Sequence, residues 1–246
     1  MNNHWVLLRG LGRDHRHWGS FINEFEQAFS TDLVSTIDTC GNGDFVKMKS
    51  PMLIAEYTVH CRKALGNNAK RINLVALSLG GMIALDWAQR FPDQVNSITL
   101  INSSVANLTP WYRRINTKAL LKLVSPLLSQ KSPEKIEKAI LALTANLMNN
   151  NEMLQQWTGY REAHCTSLAN LLRQLIAAAR FNLQTPLKIA PLVLCSEADK
   201  LVNCVASKDI YKYLGGRIIT HSSAGHDLPL DDSAWVLAQI KLHQHM

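Results

Sequence analysis

The sequence lacks the features that mark membrane, secreted and fibrous proteins. No apolar run in the 246-residue chain approaches the roughly 18 residues that a membrane-spanning helix needs, so we expect no membrane span. Before Arg9 there is only a short apolar run, without the basic segment and longer apolar stretch of a secretory signal. The 12 glycines and 8 prolines are too few for a collagenous chain. These absences leave a globular protein with enough residues for a sizeable buried core.

Cysteine is scarce as well, and its spacing is irregular. Five cysteines occur without a CxxC pair, at Cys40, Cys61, Cys165, Cys195 and Cys204. An odd number without paired spacing is typical of free thiols in a reducing compartment, and not of a disulfide framework or a zinc site. His15 and His17 with Asp14 offer no further ligand at a recognisable metal-binding spacing. We therefore expect a cytoplasmic protein without a metal.

Positive charge is concentrated in the middle of the chain. The net charge is +7, and residues 105–187 hold ten basic and four acidic side chains, a surplus of six. Two sets of lysines in this region repeat at helical spacing: Lys118 with Lys122, and Lys131 with Lys135 and Lys138. A solvated helix face explains such sets as well as an acidic carrier protein or an anionic substrate does. Nothing in this pattern predicts binding to nucleic acid.

Short apolar runs alternate with longer amphipathic ones in both outer parts of the chain. The strand candidates are residues 5–8, 33–37, 72–77, 98–101, 192–195 and 217–220. Their alternation with helix-type periodicity predicts an α/β fold, with a mostly parallel central sheet and helices on both faces. From 105 to 185 the periodicity is helical throughout, which predicts a helical cap inserted between two parts of the core, 1–104 and 186–246.

The strongest local signal surrounds Ser78. The segment 76–80 reads Ala-Leu-Ser-Leu-Gly and lies between a predicted strand and a predicted helix. Small residues two positions before and after a serine are typical of the nucleophile elbow, G-x-S-x-G, in which Ala76 here replaces the first glycine. A serine that caps a helix after a buried strand is a common alternative explanation of this segment on its own.

Two further residues follow predicted strands in an informative order. A serine nucleophile needs a histidine base and an acid that orients the histidine. Asp199 follows one strand and His226 follows the next, and serine, acid, histidine is the order found in α/β-hydrolases. Asp227 is a poorer candidate for the acid because it is adjacent to His226. The sequence therefore predicts a catalytic triad of Ser78, Asp199 and His226 at the carboxyl edge of one sheet.

These segments together resemble the α/β-hydrolase fold carboxylesterases, and are similar to the group of pimeloyl-acyl-carrier-protein methyl ester esterases. The matching segments are 7–12 with Trp18, 38–43, the elbow, 91–95, the acid loop and 224–227. Three positions depart from the family pattern. Arg9 replaces the usual histidine before the oxyanion loop, Cys40 the usual proline, and Cys195-Ser196 the glycine before the acid loop.

The resemblance implies a mechanism and a substrate class. It implies an acyl-enzyme mechanism without metal or organic cofactor, and an oxyanion hole formed by the backbone N–H groups of Leu11 and Leu79. The Leu79 donor also follows from the chain, because this residue begins a helix. The expected substrate is a small acyl ester, such as a methyl ester on an acidic acyl carrier protein. Candidate substrate-binding residues are Trp18, Arg113, Arg114, Lys118 and Lys122.

Two alternatives to ester hydrolysis fit the same residues. An acyltransferase or an amidase would use the same triad with a different acceptor or leaving group. A hydrolase-fold protein that only binds a ligand would retain the triad without useful turnover. The fold alone does not decide between them, because this scaffold carries many functions.

Overall fold

A computed structural model describes residues 3–66, 71–119, 121–122, 132–148 and 151–244. Its centre is a sheet of six strands, all parallel, in the order β2-β1-β3-β4-β5-β6. The strands are β1 His4–Leu8, β2 Leu33–Ile37, β3 Ile72–Leu77, β4 Val95–Ile101, β5 Leu192–Ser196 and β6 Arg217–His221. The predicted α/β fold with a parallel sheet is confirmed.

Ten α-helices are described around this sheet. They are α1 Phe21–Ala28, α2 Ile54–Leu65, α3 Leu79–Arg90, α4 Trp111–Arg114, α5 Pro133–Thr144, α6 Asn151–Ala163, α7 Leu168–Arg180, α8 Cys204–Leu214, α9 Leu228–Asp231 and α10 Ser233–Gln244. Short 3-10 helices cover His15–Trp18, Gly43–Phe45 and Pro92–Gln94. No helix in the described part of the chain is long and apolar enough to cross a membrane.

The sheet is apolar on both faces, which explains why helices cover both. Every residue of β3 is buried, and its run Ile-Asn-Leu-Val-Ala-Leu has no regular alternation of polar residues. In β1, Val6 and Leu8 join the core cluster that includes α2, α3 and α8, whereas Trp5 and Leu7 join the cluster that includes α1 and α10. This alternation follows from the two-residue period of a strand.

Between β4 and β5 the described residues form helices and no strand. We call residues 105–185 the helical segment. Its helices α5 and α6 pack together around the buried Leu141 and Trp157. Near its start, Ile115 pairs with Val202 of the acid loop. Lys131, one of the lysines singled out in the sequence, lies outside the described residues.

One predicted helix is divided in two. The apolar spacing suggests a helix from Trp18 to Phe29, but a 3-10 turn ends at Trp18 and α1 begins only at Phe21. Gly19 lies between them with φ 56° and ψ −135°, a backbone conformation that no helix contains. The break allows Trp18 and Phe21 to stack in the core, with ring centroids 5.5 Å apart.

Candidate active site

Ser78 occupies a strained turn between β3 and α3. Its φ of 56° and ψ of −115° lie outside the regions that side-chain-bearing residues usually adopt. Neighbouring groups hold the turn, because the Ser78 N–H donates to Ile101 O at 2.9 Å and the Ser103 hydroxyl donates to Ser78 O at 2.8 Å. These contacts hold the backbone of the turn in place.

The glycines near Ser78 are required by close approach of the backbone. A Cβ atom on Gly80 would lie 2.4 Å from the carbonyl oxygen of Leu8, a distance that real Cβ atoms do not show. A Cβ on Gly10 would lie 3.2 Å from the Cβ of Ser78. The loop after β1 therefore passes directly beside the turn that carries the serine.

His226 and Asp199 form a buried pair. The two side chains approach to 2.7 Å between His226 Nδ1 and Asp199 Oδ2, and the Asp199 side chain is 1% exposed. The other carboxylate oxygen accepts the N–H groups of Leu201 and Val202 at 2.7 and 3.0 Å. Burial alone would lower the pKa of His226, but the charge of Asp199, the hydrogen bond to it and the charge of Asp227 outweigh burial and raise that pKa.

Asn102 joins the acid loop to the histidine loop. It follows β4 with φ 46°, and its amide nitrogen donates to His226 O at 2.8 Å and to Ser196 Oγ at 3.2 Å. Its amide oxygen accepts the Ser196 N–H at 2.8 Å. Ser196, which departs from the family pattern, is thus part of the scaffold. The sequence did not identify Asn102, although an asparagine directly after a strand is compatible with a positive φ.

Arg9, the residue that replaces the usual histidine, forms a buried ion pair with Asp227. The distances are 3.0 Å from Nη1 to Oδ1 and 2.5 Å from Nη2 to Oδ2. Burial opposes ionisation of Asp227, but Arg9 outweighs it and lowers the pKa of that carboxyl. The pair joins the loop after β1 to the histidine loop, and it leaves Asp199 as the acid that contacts His226.

Two backbone N–H groups are candidates for an oxyanion hole. Leu79 is the first residue of α3, so its N–H has no partner within the helix. The Leu11 N–H has no acceptor among the described residues, whereas the next N–H, of Gly12, donates to Gln174 Oε1 at 2.8 Å. Gln174 belongs to α7, so a helix of the helical segment supports the loop that carries Leu11.

Several of the candidate residues line a cavity of about 150 Å³, which we call the Ser78 cavity. Ser78, His226, Leu11 and Leu79 line it. No hydrogen bond within the described part of the chain involves Ser78 Oγ or His226 Nε2, so both atoms are available to a ligand. The remaining wall is mostly apolar and includes Leu77, Met82, Ile140, Leu168, Leu171, Leu172 and Leu175.

A family model described as the alpha/beta hydrolase fold matches residues 8–213, most of the chain. The chain belongs to the alpha/beta hydrolase fold family. Strands β2 to β5, the elbow and the acid loop lie within the matched region, whereas most of β1 precedes it and His226 follows it.

Sequence relatives of this alpha/beta hydrolase fold protein include two RutD proteins, each named as a candidate carbamate hydrolase. RutD of Yersinia enterocolitica is 28% identical over 234 residues, covering 93% of this chain and 82% of the relative. RutD of Cronobacter turicensis is 25% identical over 232 residues, covering 90% and 83%.

Solved structures share the fold. A candidate lipase from Acinetobacter baumannii matches with a TM-score of 0.79 and 20% identity, covering 100% of this chain and 86% of the other. The enol-lactonase from Burkholderia xenovorans matches with a TM-score of 0.78 and 18% identity, covering 100% and 92%. At these identities the likeness shows the fold alone.

The five candidate substrate-binding residues lie in different environments. Trp18 is buried in the core, with the Arg9 guanidinium 4.7 Å from its ring centroid, and it does not line the Ser78 cavity. Arg113, Lys118 and Lys122 are exposed and also lie outside the cavity wall. Arg114 is the member of this set that lines the cavity.

A buried ion-pair network near the cavity has no signal in the sequence. Glu137 of α5 accepts Arg13 Nη1 at 2.8 Å and Arg161 Nε at 2.5 Å. Arg13 also stacks on Trp157, 4.2 Å from the ring centroid. Arg13 and Glu137 lie 124 positions apart in the chain, so spacing does not reveal the contact.

The three residues considered as a metal cluster, Asp14, His15 and His17, do not all contact one another in the structure. His17 contacts Asp14 and Arg13, whereas His15 Nδ1 lies 2.8 Å from Asp38. His15, Asp38 and Asp44 come close enough to share an ion. However, the Asp38 oxygens already accept the His15 and Asp44 N–H groups at 2.7 and 3.0 Å, which explains their arrangement as a loop closure.

Proposed function

We propose that this protein is a serine carboxylic-ester hydrolase that acts through an acyl-enzyme. One observation carries the proposal: Ser78, in a strained turn, shares a cavity with His226, whose other ring nitrogen contacts a buried Asp199 at 2.7 Å. A carboxylate in that position orients the imidazole and stabilises its cation, which a serine nucleophile requires.

The proposed reaction has two halves. Ser78 Oγ attacks the ester carbonyl while His226 Nε2 takes the hydroxyl proton, and the N–H groups of Leu11 and Leu79 stabilise the oxyanion. The tetrahedral intermediate expels the alcohol, which receives the proton from His226. Water, deprotonated by His226, then attacks the acyl-enzyme and releases the acid and Ser78. No step in this scheme needs a metal or an organic cofactor.

In this proposal the helical segment forms a cap over the core and helps to bind the substrate. Its α5 and α7 contribute Ile140, Leu171 and Leu175 to the cavity wall. A cavity of about 150 Å³ suits a short acyl chain, since a cavity of roughly that size holds one benzene molecule. The five free cysteines favour a reducing, cytoplasmic location.

Within the proposed ester hydrolysis, a more specific candidate substrate is a methyl ester carried by an acyl carrier protein. The exposed Arg113, Lys118 and Lys122 give the helical segment a basic outer surface that an acidic carrier would match. The acyl chain would enter the cavity while the carrier remained outside.

Carbamate hydrolysis is the second candidate function, because the two RutD relatives are named as candidate carbamate hydrolases. The same triad would attack a carbamate carbonyl and expel ammonia or an amine in place of an alcohol. An ester and a carbamate of equal acyl size therefore separate the two activities.

Hydrolysis of p-nitrophenyl esters from acetate to decanoate tests the proposal. We expect turnover by the wild type, fastest with the short esters, and a loss of roughly 10⁴-fold or more in Ser78→Ala. Ser222→Ala, which alters an exposed serine, is the matched control and should retain full activity. Added alcohol that captures the acyl group would indicate an acyltransferase. Absence of turnover with a tightly held ligand would indicate a binding protein.

A further inference from the structure

Arg114 is buried beside the proposed catalytic residues. It is the last residue of α4, it is 3% exposed, and it lines the Ser78 cavity. Its backbone is attached to the acid loop, because Arg114 O accepts the Asn203 N–H at 3.0 Å and the next residue pairs with Val202. The backbone of Arg114 is therefore held against the acid loop, and its side chain contributes to the cavity wall.

The Arg114 guanidinium has few partners. Nη2 donates to the carbonyl oxygen of Ala178 at 3.2 Å, whereas Nε and Nη1 are buried with no acceptor. Among the described residues no carboxylate forms an ion pair with it, and burial lowers its pKa without an opposing charge. Buried donors and buried charges are normally paired, because leaving them unpaired is costly.

The acidic residues beside the cavity do not neutralise all the arginines of its wall. Four arginines of the described chain line the cavity: Arg9, Arg13, Arg114 and Arg161. Two carboxylates pair with them, since Asp227 binds Arg9 and Glu137 is shared by Arg13 and Arg161. Arg13 Nη2 is also buried without an acceptor. The wall thus has more positive charge than its own acids neutralise.

We propose that the ester hydrolysed at Ser78 carries a carboxylate on its acyl arm, and that this carboxylate pairs with Arg114. The substrates are then half-esters of short dicarboxylic acids, with an apolar chain against Leu171 and Leu175. This inference rests on the proposed function and narrows its substrate class. A phosphate group would satisfy the same donors, but the small, largely apolar cavity favours the smaller anion.

Matched substrates test the proposal. Methyl hydrogen succinate, glutarate and adipate are compared with methyl butanoate, pentanoate and hexanoate, in which a methyl group replaces the carboxylate. We expect the wild type to prefer at least one half-ester by tenfold or more in kcat/KM. Arg114→Gln should reduce that preference at least tenfold. Arg180→Gln, which alters an exposed arginine of α7 outside the cavity wall, should leave it unchanged.

Binding to the Ser78→Ala protein provides a readout that does not need turnover. Calorimetry with glutarate, pentanoate and inorganic phosphate should show binding of glutarate that is lost when Arg114→Gln is added. If Arg114→Gln fails to fold, Arg114→Lys retains the charge and should retain part of the preference. Equal use of half-esters and neutral esters, or binding of phosphate without glutarate, would overturn the proposal. Glutarate binding without hydrolysis of any ester would instead overturn the esterase function and keep the anion site.

Discussion

At the residue scale, two neighbouring carboxylates have separate roles. Asp199 contacts His226, and Asp227 contacts Arg9, although Asp227 is the residue adjacent to the histidine in the chain. In the proposed reaction the first pair assists catalysis, because the carboxylate selects the tautomer in which Nε2 accepts a proton. The second neutralises a buried arginine and joins two loops of the site.

Replacing each carboxylate by its amide separates these roles. Asp199→Asn should lower kcat by about 10⁴-fold with little change in stability, since the amide oxygen still accepts backbone N–H groups. Asp227→Asn leaves Arg9 buried without a counter-charge and should lower the free energy of unfolding by about 3–5 kcal/mol. Steady-state kinetics and urea unfolding of both variants measure this difference. Equal losses of kcat in the two folded variants would contradict it.

The pH dependence should report His226. The imidazole must be neutral to accept the serine proton, so kcat/KM should rise with pH through the pKa of His226 in the free enzyme. Because Asp199 and Asp227 raise that pKa, the midpoint should lie above the ordinary histidine value of 6.5. Asp199→Asn removes the main raising contribution, so its residual activity should have a lower midpoint. A wild-type midpoint below 6.5 would show that burial dominates instead.

For individual residues, some positions could be predicted from the sequence and others could not. Ser78, Asp199 and His226 follow strands in a recognisable order, so their approach to one sheet edge could be predicted. The positions of Trp18 and Arg114 could not, because both are determined by packing between distant segments. Trp18 is in the core beside Arg9, whereas Arg114 alone of the basic candidates lines the cavity.

At the scale of elements, the contact between β1 and α3 sets the geometry of the turn at Ser78. Gly80→Ala would place a Cβ atom 2.4 Å from Leu8 O, so the helix and the strand must separate. We expect a fall of several degrees in Tm and a lower kcat. Gly159→Ala is the matched control, because a Cβ there meets nothing within 4 Å. Because alanine replaces a glycine within a helix, Gly159→Ala should raise the free energy of unfolding by up to about 1 kcal/mol. Equal Tm values for the two variants would refute the close contact.

Strands were easier to predict than helix ends or helix contacts. A short and largely apolar run such as β3 is typical of a strand that is buried on both faces of a parallel sheet. The break at Gly19 was missed, because the apolar spacing continues across it while the backbone does not. The packing of α5 and α7 on the core depends on Glu137 and Gln174, buried polar residues that periodicity does not distinguish from exposed ones.

At the scale of the whole molecule, the positive charge is divided between two places. Arg9, Arg13, Arg114 and Arg161 line the cavity, whereas Arg113, Lys118 and Lys122 are exposed. The sequence revealed the surplus of charge but not this division, which depends on how the helical segment covers the core. In the proposals above, the buried charge binds the substrate in the cavity, and the exposed charge affects the approach of a carrier protein.

Docking of an acyl carrier protein predicts a salt dependence. At low salt, kcat/KM for a methyl ester on the carrier should exceed that for the free ester and should fall as ionic strength rises. Lys118→Glu should lower the carrier value several-fold and leave the free ester unaffected. Lys241→Glu, on α10, is the control for a charge reversal elsewhere. If the carrier-bound ester gains nothing at low salt, the exposed basic residues form only a solvated surface.

The central claim is that Ser78 is a nucleophile activated by His226, and covalent labelling tests it most directly. A fluorophosphonate reacts with an activated serine to form a stable adduct, which intact-protein and peptide mass spectrometry locate. We predict one adduct per wild-type chain, on Ser78, and none in Ser78→Ala over the same time. His226→Ala should label at least about a hundredfold more slowly, because general-base assistance is lost. Labelling at another residue, or an equal rate in Ser78→Ala, would contradict the assignment.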